Sequence, residues 1–567
     1  VLDGVTGHGV GVRAQLAFGT ANLSAVLLTA TAAAASTTVH FKMAGIMPNA
    51  TDLGDGVVTF GQLLFTGAPC FAPAVFGTGS LVLPRSVSVD AAIGGTISLT
   101  WTVSIDPRGA FTAVSSAVHL AANESASVAA VVSTTAALPP KSTDGAAVVV
   151  AALTRWDGYI DAVLPRTPSP RRSTIAPYDT TWVSVKSVMT LLGNWRLVPG
   201  KVNTGVLPSY TGYGSGMWSW DTYKQAVGMV RFAPGLAKEQ LRLLVSAADS
   251  ATGHIPDKID RCGVGGGCSG KPPLLSWAVW EVYTSTNDMG FLEEMFPEID
   301  KFHRWWYANR DVLGVGLCSW SEGMESGMDD GARFTNASST SNVTTHAHGF
   351  DFWSVDLNSY LYHEKLTLAA MATALGNGTG AAKWTADAAA LLPRLQSTFF
   401  APECTDPSRG FFQDAKFNGT FLPIRGCEGY TALFCGVAAN DQALRMAAVL
   451  ADSTQFLLNF SVPTLDKRDP QYNPRGYWKG PTWVDQTWFL YTGLRRYAVS
   501  ASAPHLDSLA DEIKRRVFTV GKGFSVNDTT PLNEHYQADT GEPLGSTHFS
   551  WTAAHTLMWT TENLVRP

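Results

Sequence analysis

The sequence predicts a mainly α-helical protein in which an N-terminal antiparallel β-sandwich precedes a large helical toroid. Three observations predict this fold class. The chain has 567 residues, which exceeds the usual size of one domain. Its first 165 residues are rich in Val, Thr, Ser, Ala and Gly, whereas helical periodicity dominates the rest. Sixteen of its 18 tryptophans lie at Trp182 or beyond, so the two halves also differ in aromatic content.

The N-terminal domain is assigned to residues 1–164. Short runs that alternate apolar and polar residues, such as GGTISLTWTVSID and SASVAAVVSTT, are separated by Gly, Pro and Asn. This pattern is typical of antiparallel strands, and several such runs in succession indicate a β-sandwich. The Pro-, Arg- and Ser-rich stretch at residues 165–177 is the predicted linker to the second domain, residues 178–567.

The second domain carries helical periodicity in segments such as PGLAKEQLRLLVSAAD and HLDSLADEIKRRVF. Apolar residues three and four positions apart form one face of each predicted helix. Long loops rich in Gly, Trp and Pro separate these segments, and no strand runs alternate with them. The pattern therefore favours a helical toroid over a βα barrel.

Composition argues against two classes of partner. The net charge of -6 and the pI near 6.1 give no basic surface for nucleic acid, so no nucleic-acid partner is predicted. No uninterrupted apolar run reaches the length of a membrane span, so no transmembrane segment is predicted in this chain.

The chain opens with VLDGVTGHGV, without an initiator Met, from which we expect a removed signal or a longer precursor.

Nine Asn-X-Ser/Thr sequons predict a glycoprotein made through a eukaryotic secretory route. The expected location is extracellular or the lumen of the secretory pathway, including endomembrane or lysosome-like compartments. This location is compatible with association with a larger extracellular assembly. The predicted glycosylation sites are Asn22, Asn49, Asn123, Asn336, Asn342, Asn377, Asn418, Asn459 and Asn527.

Seven cysteines are too few for a disulfide scaffold. Cys262 and Cys268 flank a glycine-rich turn, and Cys427 and Cys435 lie eight residues apart, so each pair is a candidate for a local disulfide. The odd count leaves at least one free thiol or a partner outside this chain. Neither spacing is typical of a zinc site, and the sequence has no phosphate-binding loop. We therefore predict neither a metal nor a cofactor.

Many tryptophans of the second domain lie in predicted loops beside charged and amide residues, in the motifs GMWSWDTY, CSWSEG, GYWKGPTWVDQTWF and FSWTAA. Packing in the core is the alternative explanation for any one tryptophan. A sugar ring combines an apolar C–H face with a rim of hydroxyl groups, which aromatic faces and convergent polar groups can bind. These loops therefore indicate a carbohydrate-binding pocket.

Two loop segments carry carboxylates among glycines and aromatic residues. The first is SWSEGMESGMDDGARF, residues 319–334, and the second surrounds Glu534 in PLNEHYQADTGEPLG. A solvated surface turn is the alternative for the first segment. A pair of carboxylates can cleave a glycosidic bond if one protonates the leaving oxygen and the other activates water. The two segments are therefore candidates for the two halves of a glycosidase site.

Five motifs in this order resemble glycoside hydrolase family 63, over roughly residues 213–555. They are GMWSWDTYKQAVGM, GHIPDKID with KPPLLSWAVWEVY, GMESGMDDGARF, DPQYNPRGYWKGPTWVDQTWF and NEHYQADTGEPLGSTHFSWTAAH. The resemblance implies an (α/α)6 barrel, related to that of trehalases, and an inverting mechanism. The chain resembles the bacterial α-glucosidase branch, whose members also carry an N-terminal β-sandwich.

The resemblance assigns roles to the two carboxylate segments. Asp329 matches the general acid of the family, and Glu534 matches the general base. Asp330 is read as a neighbour of the acid, and Glu325 is expected to order the loop. Arg333 matches a substrate-binding arginine that could hold a sugar hydroxyl or tune the acid.

The resemblance also implies residues that line the sugar subsite next to the cleaved bond. These predicted substrate-binding residues, apart from Arg333, are Trp218, Trp220, Asp221, Tyr477, Trp478, Trp483 and Gln486. For Gln486 and its neighbour Asp485, a role at the start of a helix is the alternative. Lys271 in the motif KPPL is expected to be structural.

The sequence therefore predicts an inverting α-glycoside hydrolase, an α-glucosidase acting on α-linked gluco-oligosaccharides or glycans. The main alternative is a catalytically idle glycoprotein that uses the same fold as a structural or carbohydrate-binding module. A phosphorylase with the same barrel is a third interpretation. It is disfavoured because such enzymes lack a hydrolytic glutamate base. Linkage and aglycone are left open, because the cysteine-containing segments depart from the family pattern. The oligomeric state is left open as well.

Overall fold

The computed structural model describes the strands between residues 2 and 133 and residues 145–164, 179–197, 204–214, 216–260, 265–266, 269–342 and 347–562. Side chains are described from residue 150 onward. The chain divides into two compact units, Val1–Tyr159 and Ile160–Pro567. The predicted linker at residues 165–177 lies outside the described residues, and the predicted domain boundary stays a prediction.

The first unit contains fourteen described strands. They are β1 (Leu2–Val5), β2 (Val10–Thr20), β3 (Leu23–Ala32), β4 (Thr37–Val39), β5 (Lys42–Ile46), β6 (Thr51–Asp52), β7 (Val57–Phe60), β8 (Gly79–Val82), β9 (Ser86–Asp90), β10 (Gly95–Ser98), β11 (Trp101–Ile105), β12 (Ala110–Ser115), β13 (Val118–Leu120) and β14 (Ser125–Ser133). The helix α1 (Gly145–Val163) follows them and runs across the division between the units.

Every pairing among these strands is antiparallel. Nine strands form one sheet, in which β1, β2, β3, β14, β8, β7 and β6 are neighbours in that order, while β9 pairs with β14 and β10. Strands β11, β12 and β5 form a second sheet, and β13 pairs with β4. The alternating runs therefore do form antiparallel strands, whereas the packing of the sheets into a sandwich stays a prediction.

The second unit is mainly helical. Its helices are α2 (Thr181–Gly193), α3 (Ser219–Met229), α4 (Pro234–Val245), α5 (Leu275–Thr286), α6 (Met289–Arg310), α7 (Val355–Ala374), α8 (Gly378–Phe399), α9 (Cys427–Cys435), α10 (Asn440–Leu450), α11 (Val484–Ser500), α12 (Pro504–Val520) and α13 (Ser550–Thr560). Short strands lie between them: β15 (Trp195–Leu197), β16 (Thr204–Val206), β17 (Gly216–Trp218), β18 (Lys258–Asp260), β19 (Gly265–Gly266), β20 (Ser339–Ser341), β21 (His348–Phe350), β22 (Phe352–Trp353), β23 (Phe400–Pro402), β24 (Gly410–Phe412), β25 (Ala415–Lys416), β26 (Asn533–Tyr536) and β27 (Pro543–Thr547). They form two-stranded sheets, apart from the three-stranded sheet of β17, β18 and β19.

Six of these helices contact one another in a closed ring. The helices α3, α5, α7, α9, α11 and α13 are neighbours in that order, and α13 packs back against α3. The alternate helices α2, α4, α6, α8, α10 and α12 each pack against members of this ring. This is the arrangement that the predicted (α/α)6 barrel requires.

The two sets of helices differ in which residues they bury. The alternate helix α12 buries Leu506, Ala510, Ile513 and Val517, which recur every three or four residues and form one apolar stripe. In the ring, every residue of α3, α9 and α13 is buried. Polar side chains in the ring must therefore find partners inside the protein. Lys224 of α3, for example, pairs with Asp485 of α11 at 2.5 Å.

The links between helices alternate between short and long. The first five ring helices each pass to the following alternate helix through a short link, at residues 230–233, 287–288, 375–377, 436–439 or 501–503. The links that lead back to the ring are long, at residues 194–218, 246–274, 311–354, 400–426, 451–483 and 521–549. Because short links join antiparallel neighbours, all the long links lie at one end of the ring. The predicted site motifs lie on these long links and on the helix starts that follow them.

The disulfide predicted between Cys427 and Cys435 is wrong, because both cysteines are free and buried. They are the first and last residues of α9, so the helical rise places their Cα atoms about 12 Å apart. A disulfide requires Cα atoms within about 7 Å. Cys262 and Cys268 lie outside the described residues. Within the described residues, no helix has both the length and the apolar character that crossing a bilayer would need.

Candidate active site

The segment that carries Asp329 is folded tightly against the ring. Two single helical turns, Met324–Ser326 and Ala332–Phe334, flank Asp329, and Gly327 joins the first turn to it with φ 73°. A Cβ atom built on Gly327 would lie 2.0 Å from the Trp220 ring at the start of α3. Glycine is therefore required here both for the left-handed backbone and for the close approach of Trp220.

Glu325 holds the same segment in place through buried hydrogen bonds. Its carboxylate accepts hydrogen bonds from Nε and Nη2 of Arg310, the shortest at 2.6 Å, and from the backbone N–H and hydroxyl of Ser321. Burial alone would raise the pKa of Glu325, but Arg310 and Ser321 hold it below the ordinary value. The interpretation of Glu325 as a residue that orders the loop is confirmed.

Asp330 connects this segment to the long link that precedes α11. Its Oδ1 accepts a hydrogen bond of 2.8 Å from the backbone N–H of Trp478. Gln471 of the same link donates to the Ala332 carbonyl and accepts from the Thr335 hydroxyl. These bonds fix the Asp329 segment relative to Tyr477 and Trp478.

Asp329 itself has no hydrogen-bond partner for its carboxyl group among the described residues. The side chain is open to solvent at the mouth of the site, but nearby protein atoms displace much of its hydration. This desolvation raises the pKa of Asp329 to about 6, against the opposing charge of Lys271. The charges of Asp257, Asp330 and Glu534 raise it further. Asp329 can therefore carry a proton at mildly acidic pH.

Glu534, in contrast, is held by three donors. It lies on β26 and is 3% exposed. Its Oε1 accepts hydrogen bonds from the Tyr213 and Tyr477 hydroxyls, each at 2.7 Å, and its Oε2 accepts one from the Ser546 backbone N–H at 2.9 Å. Donors to the ionised carboxylate stabilise that form. Gly545 of the neighbouring strand β27 also lies close to Glu534, since a Cβ atom built on it would be 2.5 Å from Oε2.

Asp221 is a third carboxyl group in the same region, at the first turn of α3. Burial raises its pKa to about 7, while Lys224 and Lys271 oppose this shift and Glu534 adds to it. Lys271 also pairs with Asp257 at 3.3 Å and donates to the Met324 carbonyl. Since the charges of Lys271 and Glu534 act on both Asp221 and Asp329, the three carboxyl groups share one site.

The predicted aromatic residues form a continuous stack beside these carboxyl groups. Trp220 stacks on Trp478 with ring centroids 5.8 Å apart, Trp478 on Trp483 at 3.9 Å, and Trp483 on His535 at 4.8 Å. The three tryptophans are almost fully buried, so they contact one another more than solvent. The aromatic residues that do open to the site are Trp218 and Tyr477, which are half-buried.

Several buried polar atoms around this stack have no hydrogen-bond partner within the described part of the chain. The donors are Nε1 of Trp220, Trp478 and Trp551, and the acceptors are Oδ1 of Asp485, Oε1 of Gln486 and Oε1 of Gln225. Buried groups of this kind are usually paired, so their concentration in one place indicates a polar ligand or solvent.

Two predicted substrate-binding residues lie away from the three carboxyl groups. Arg333 is 4% exposed and forms a buried ion cluster with Asp356 at 2.6 Å and Asp414 at 3.3 Å. Gln486 is fully buried and donates to Asp485 at 2.9 Å. Arg333 thus supports the Asp329 segment from inside the protein, and Gln486 lies beneath the tryptophan stack.

The sequence did not predict Tyr213 and Ser546 as hydrogen-bond partners of Glu534. It also did not predict that the charge of Lys271 acts on the site. Tyr213 stands in GYGSGMW, a glycine-rich stretch just before the first motif, which could have marked it as a loop residue near the site. The Ser546 contribution is a backbone N–H, which no side-chain pattern reveals. Lys271 was expected to be structural, and it does bind Met324, but its charge also reaches Asp221 and Asp329.

A tryptophan-rich site with three carboxyl groups that act on one another electrostatically, at one end of a ring of paired helices, places the protein among the glycoside hydrolases. A family profile described as the mannosylglycerate hydrolase MGH1-like glycoside hydrolase domain matches residues 214–552, which is more than half of the chain. The chain belongs to this family, within glycoside hydrolase family 63, and the resemblance inferred from the motifs is confirmed.

Three relatives illustrate the range of the family. Mannosylglycerate hydrolase MGH1 of Selaginella moellendorffii is 24% identical over 408 residues, covering 60% of this chain and 79% of the relative. Glucosylglycerate hydrolase of Mycolicibacterium hassiacum is 22% identical over 422 residues, covering 60% of this chain and 91% of the relative. The crystal structure of the family 63 mannosylglycerate hydrolase of Thermus thermophilus, with Tris and D-glycerate, matches with a TM-score of 0.55 at 19% identity. It covers 67% of this chain and 100% of that structure, a likeness that concerns the fold.

Proposed function

We propose that this protein hydrolyses an α-glycosidic bond in one step with inversion, using Asp329 as general acid and Glu534 as general base. The observation that carries the proposal is the difference between the two carboxyl groups. Asp329 has no hydrogen-bond partner among the described residues and a raised pKa, whereas Glu534 accepts three hydrogen bonds. The first is suited to donate a proton, and the second is held by its three donors in an orientation suited to accept one.

In the proposed reaction, Asp329 protonates the leaving oxygen as the glycosidic bond breaks. Glu534 accepts a proton from a water molecule that attacks the anomeric carbon from the opposite face. An inverting pair needs about 6.5–9.5 Å between its carboxyl groups so that water fits. The mutual electrostatic influence of the two groups, without a hydrogen bond between them, is compatible with such a separation.

Recognition of the sugar is proposed for the region between the tryptophan stack and Asp221. Trp218 and Tyr477 offer partly exposed rings for the apolar face of the sugar. The carboxyl group of Asp221 and the unpaired donors and acceptors around the stack are suited to a ligand that both donates and accepts hydrogen bonds. The hydroxyl groups of a neutral hexose do both.

For the substrate, we propose a mannosyl or glucosyl glycoside with a small acidic aglycone. The named relatives are mannosylglycerate and glucosylglycerate hydrolases, whose substrates combine a hexose with a carboxylate. In this chain Lys271 and Lys258 bring positive charge to the mouth of the site, where Lys258 lies 5.1 Å over the Trp218 ring. The α-linked gluco-oligosaccharides predicted from the sequence remain the comparison substrates.

The experiment is a hydrolysis panel with NMR of the first product. The purified protein is given mannosylglycerate, glucosylglycerate and α-linked glucose disaccharides, and free hexose is measured. We expect release from at least one glycosylglycerate, with the β-anomer appearing first. The matched control is the Asp329→Asn/Glu534→Gln double variant, which should release nothing. An idle carbohydrate-binding module would bind sugars without releasing hexose, and a first-formed α-anomer would contradict Glu534 as base.

We also propose that the protein passes through a secretory route and carries N-glycans. Among the predicted sites, the asparagines that the structure exposes are Asn336, Asn377, Asn418, Asn459 and Asn527, and Asn342 is half-buried. Asn22, Asn49 and Asn123 lie outside the described residues. Exposure is a condition for glycosylation. Peptide mass spectrometry of the chain from its native source should find glycan on several of the exposed sites, and an unmodified chain would contradict the secretory assignment.

A further inference from the structure

The hydroxyl groups of Tyr213 and Tyr477 lie on the same oxygen of Glu534. Each donates to Oε1 at 2.7 Å, and the two hydroxyl oxygens are 3.1 Å apart. Burial raises the pKa of both phenols, and the charge of Glu534 raises it further, so both stay protonated and available as donors. A carboxylate oxygen offers about two acceptor positions. Both positions of Oε1 are therefore occupied.

The other oxygen of Glu534 is occupied differently. Oε2 accepts one described hydrogen bond, from the Ser546 backbone N–H at 2.9 Å. One acceptor position on Oε2 is thus available. Residue 545 is glycine, so no side chain covers this position. A Cβ atom built on residue 545 would lie 2.5 Å from Oε2.

From this geometry, and on the basis of the proposed function, we infer that Tyr213 and Tyr477 are positioning residues that direct the attacking water to Oε2 of Glu534. By filling Oε1, the two phenols fix the orientation of the carboxylate and leave Oε2 as its only open acceptor among the described contacts. In the reaction, the water oxygen bonds to the anomeric carbon and its proton passes to Oε2. The proton of Asp329 passes to the leaving oxygen as the glycosidic bond breaks, so charge and atoms balance.

The chain builds this arrangement from three distant segments. Tyr213 lies on the link before α3, which is tied to β27 through hydrogen bonds from the Ser209 and Thr211 hydroxyls to the Thr547 carbonyl. The Tyr213 ring packs edge-on against Trp218 and Phe549 at 5.5 and 5.8 Å. The position of its hydroxyl is therefore set by packing as well as by the hydrogen bond to Glu534.

Tyr477 is fixed by its own neighbours. Its ring packs edge-on against Trp483 at 5.0 Å, and its carbonyl accepts a hydrogen bond of 2.9 Å from Trp483 Nε1. The other ionisable groups that act on this region are Asp221 and Asp329, whose pKa values the charge of Glu534 raises. Neither Asp221 nor Asp329 makes a described hydrogen bond to Glu534, so the phenols and Ser546 determine how its oxygens are used.

The first test compares kcat and KM of hydrolysis for Tyr213→Phe and Tyr477→Phe. We expect kcat to fall about tenfold for each, because one donor that orients the carboxylate is lost. For Tyr213→Phe, KM should change less than kcat. A purely structural role would lower activity only in proportion to the folded fraction, so kcat per folded molecule would stay at the wild-type value.

Matched controls come from the same two links. Tyr210→Phe removes a hydroxyl three residues from Tyr213, on a ring that is 44% exposed and tilted against His548. Tyr472→Phe removes a buried hydroxyl that has no hydrogen-bond partner among the described residues, five residues before Tyr477. Both controls should keep the wild-type kcat. A wild-type kcat per folded molecule in Tyr213→Phe and Tyr477→Phe would overturn the inference.

The second test does not depend on activity. A high-resolution crystal structure of the unliganded protein should show one ordered water on Oε2 of Glu534 and none on Oε1. In Tyr213→Phe, an additional water should appear on Oε1. A wild-type water on Oε1, or none on Oε2, would overturn the inference even if hydrolysis is observed. If the wild type releases no hexose from any glycoside, the proposed function fails, and this structural result is judged separately.

Discussion

The segments around Asp329 and Glu534 place two similar carboxyl groups in opposite surroundings. The Asp329 segment is fixed by its neighbours Glu325 and Asp330, while Asp329 itself makes no hydrogen bond among the described residues. The Glu534 segment instead directs two phenols and a backbone N–H at the carboxylate. The first group is desolvated without hydrogen-bond donors, and the second accepts hydrogen bonds from three donors.

This difference shows how one site can favour a proton on Asp329 while donors hold the carboxyl group of Glu534 in place. Desolvation without donors disfavours the charged form, whereas donors to the charged form favour it. The proposed roles of acid and base therefore rest on the surroundings of each group rather than on its residue type. The following predictions test that comparison, beginning with the largest expected effect.

Exchanging each carboxyl group separately should give different leaving-group dependences. Asp329→Asn should slow hydrolysis of substrates with poor leaving groups by about 10²–10⁴-fold, because protonation of the leaving oxygen is lost. Activated aryl glycosides need little protonation and should be affected much less. Glu534→Gln should slow both kinds of substrate, because every substrate needs an activated water. Steady-state kinetics on matched alkyl and aryl glycosides measures the leaving-group dependence of each variant. Equal leaving-group dependence in both variants would contradict different roles for the two carboxyl groups.

The Asp329 segment should depend strongly on Arg333 for stability. Arg333→Met leaves Asp356 and Asp414 as buried carboxylates without their cation, which costs about 3–5 kcal/mol. Denaturant unfolding measures this loss. The control is Arg304→Met, which removes an exposed ion pair with Asp300 and should cost less than about 1 kcal/mol. If Arg333 instead bound substrate directly, its replacement would raise KM and leave the unfolding free energy nearly unchanged.

The close approach of the Asp329 segment to Trp220 should depend on Gly327. Gly327→Ala places a methyl group 2.0 Å from the ring, so we expect a loss of about 1–3 kcal/mol beyond the backbone strain. Gly376→Ala is the matched control, since its φ of 71° is similar and no atom lies within 4 Å of the added Cβ. Thermal unfolding of both variants separates packing from strain. Equal losses would indicate that contact with Trp220 contributes nothing.

The smallest expected effect concerns the charge that opposes protonation of Asp329. Lys271 lowers the pKa of Asp329, which nevertheless lies at about 6, so Lys271→Met should raise it further. The acid would then stay protonated to higher pH, and the alkaline limb of kcat/KM should move up by about one pH unit. Lys301→Met, which removes a surface lysine paired with Glu298, should leave the limb in place. A downward shift for Lys271→Met would contradict Asp329 as the acid.

Much of the fold was predictable because its signals are local. Apolar residues every three or four positions marked helices such as α4 and α12, and the two-residue alternation marked strands in the first unit. The ring helices α3 and α13 lack a simple apolar stripe because they are buried on all sides. Their place in the protein therefore followed from the family resemblance rather than from periodicity.

For the site, the sequence by itself determined which carboxyl groups and aromatic rings lie together in glycine-rich motifs, including Asp329, Glu534 and Trp220. Only the tertiary structure decided how these groups are used. In the folded protein, Arg333 forms a buried ion pair, and Cys427 and Cys435 lie at opposite ends of one helix. Tyr213 and Ser546 donate hydrogen bonds to Glu534. The physical reason is that desolvation and hydrogen bonding act through space. In addition to burial, Glu534 can therefore raise the pKa of Tyr213, which lies more than 300 positions away in the chain.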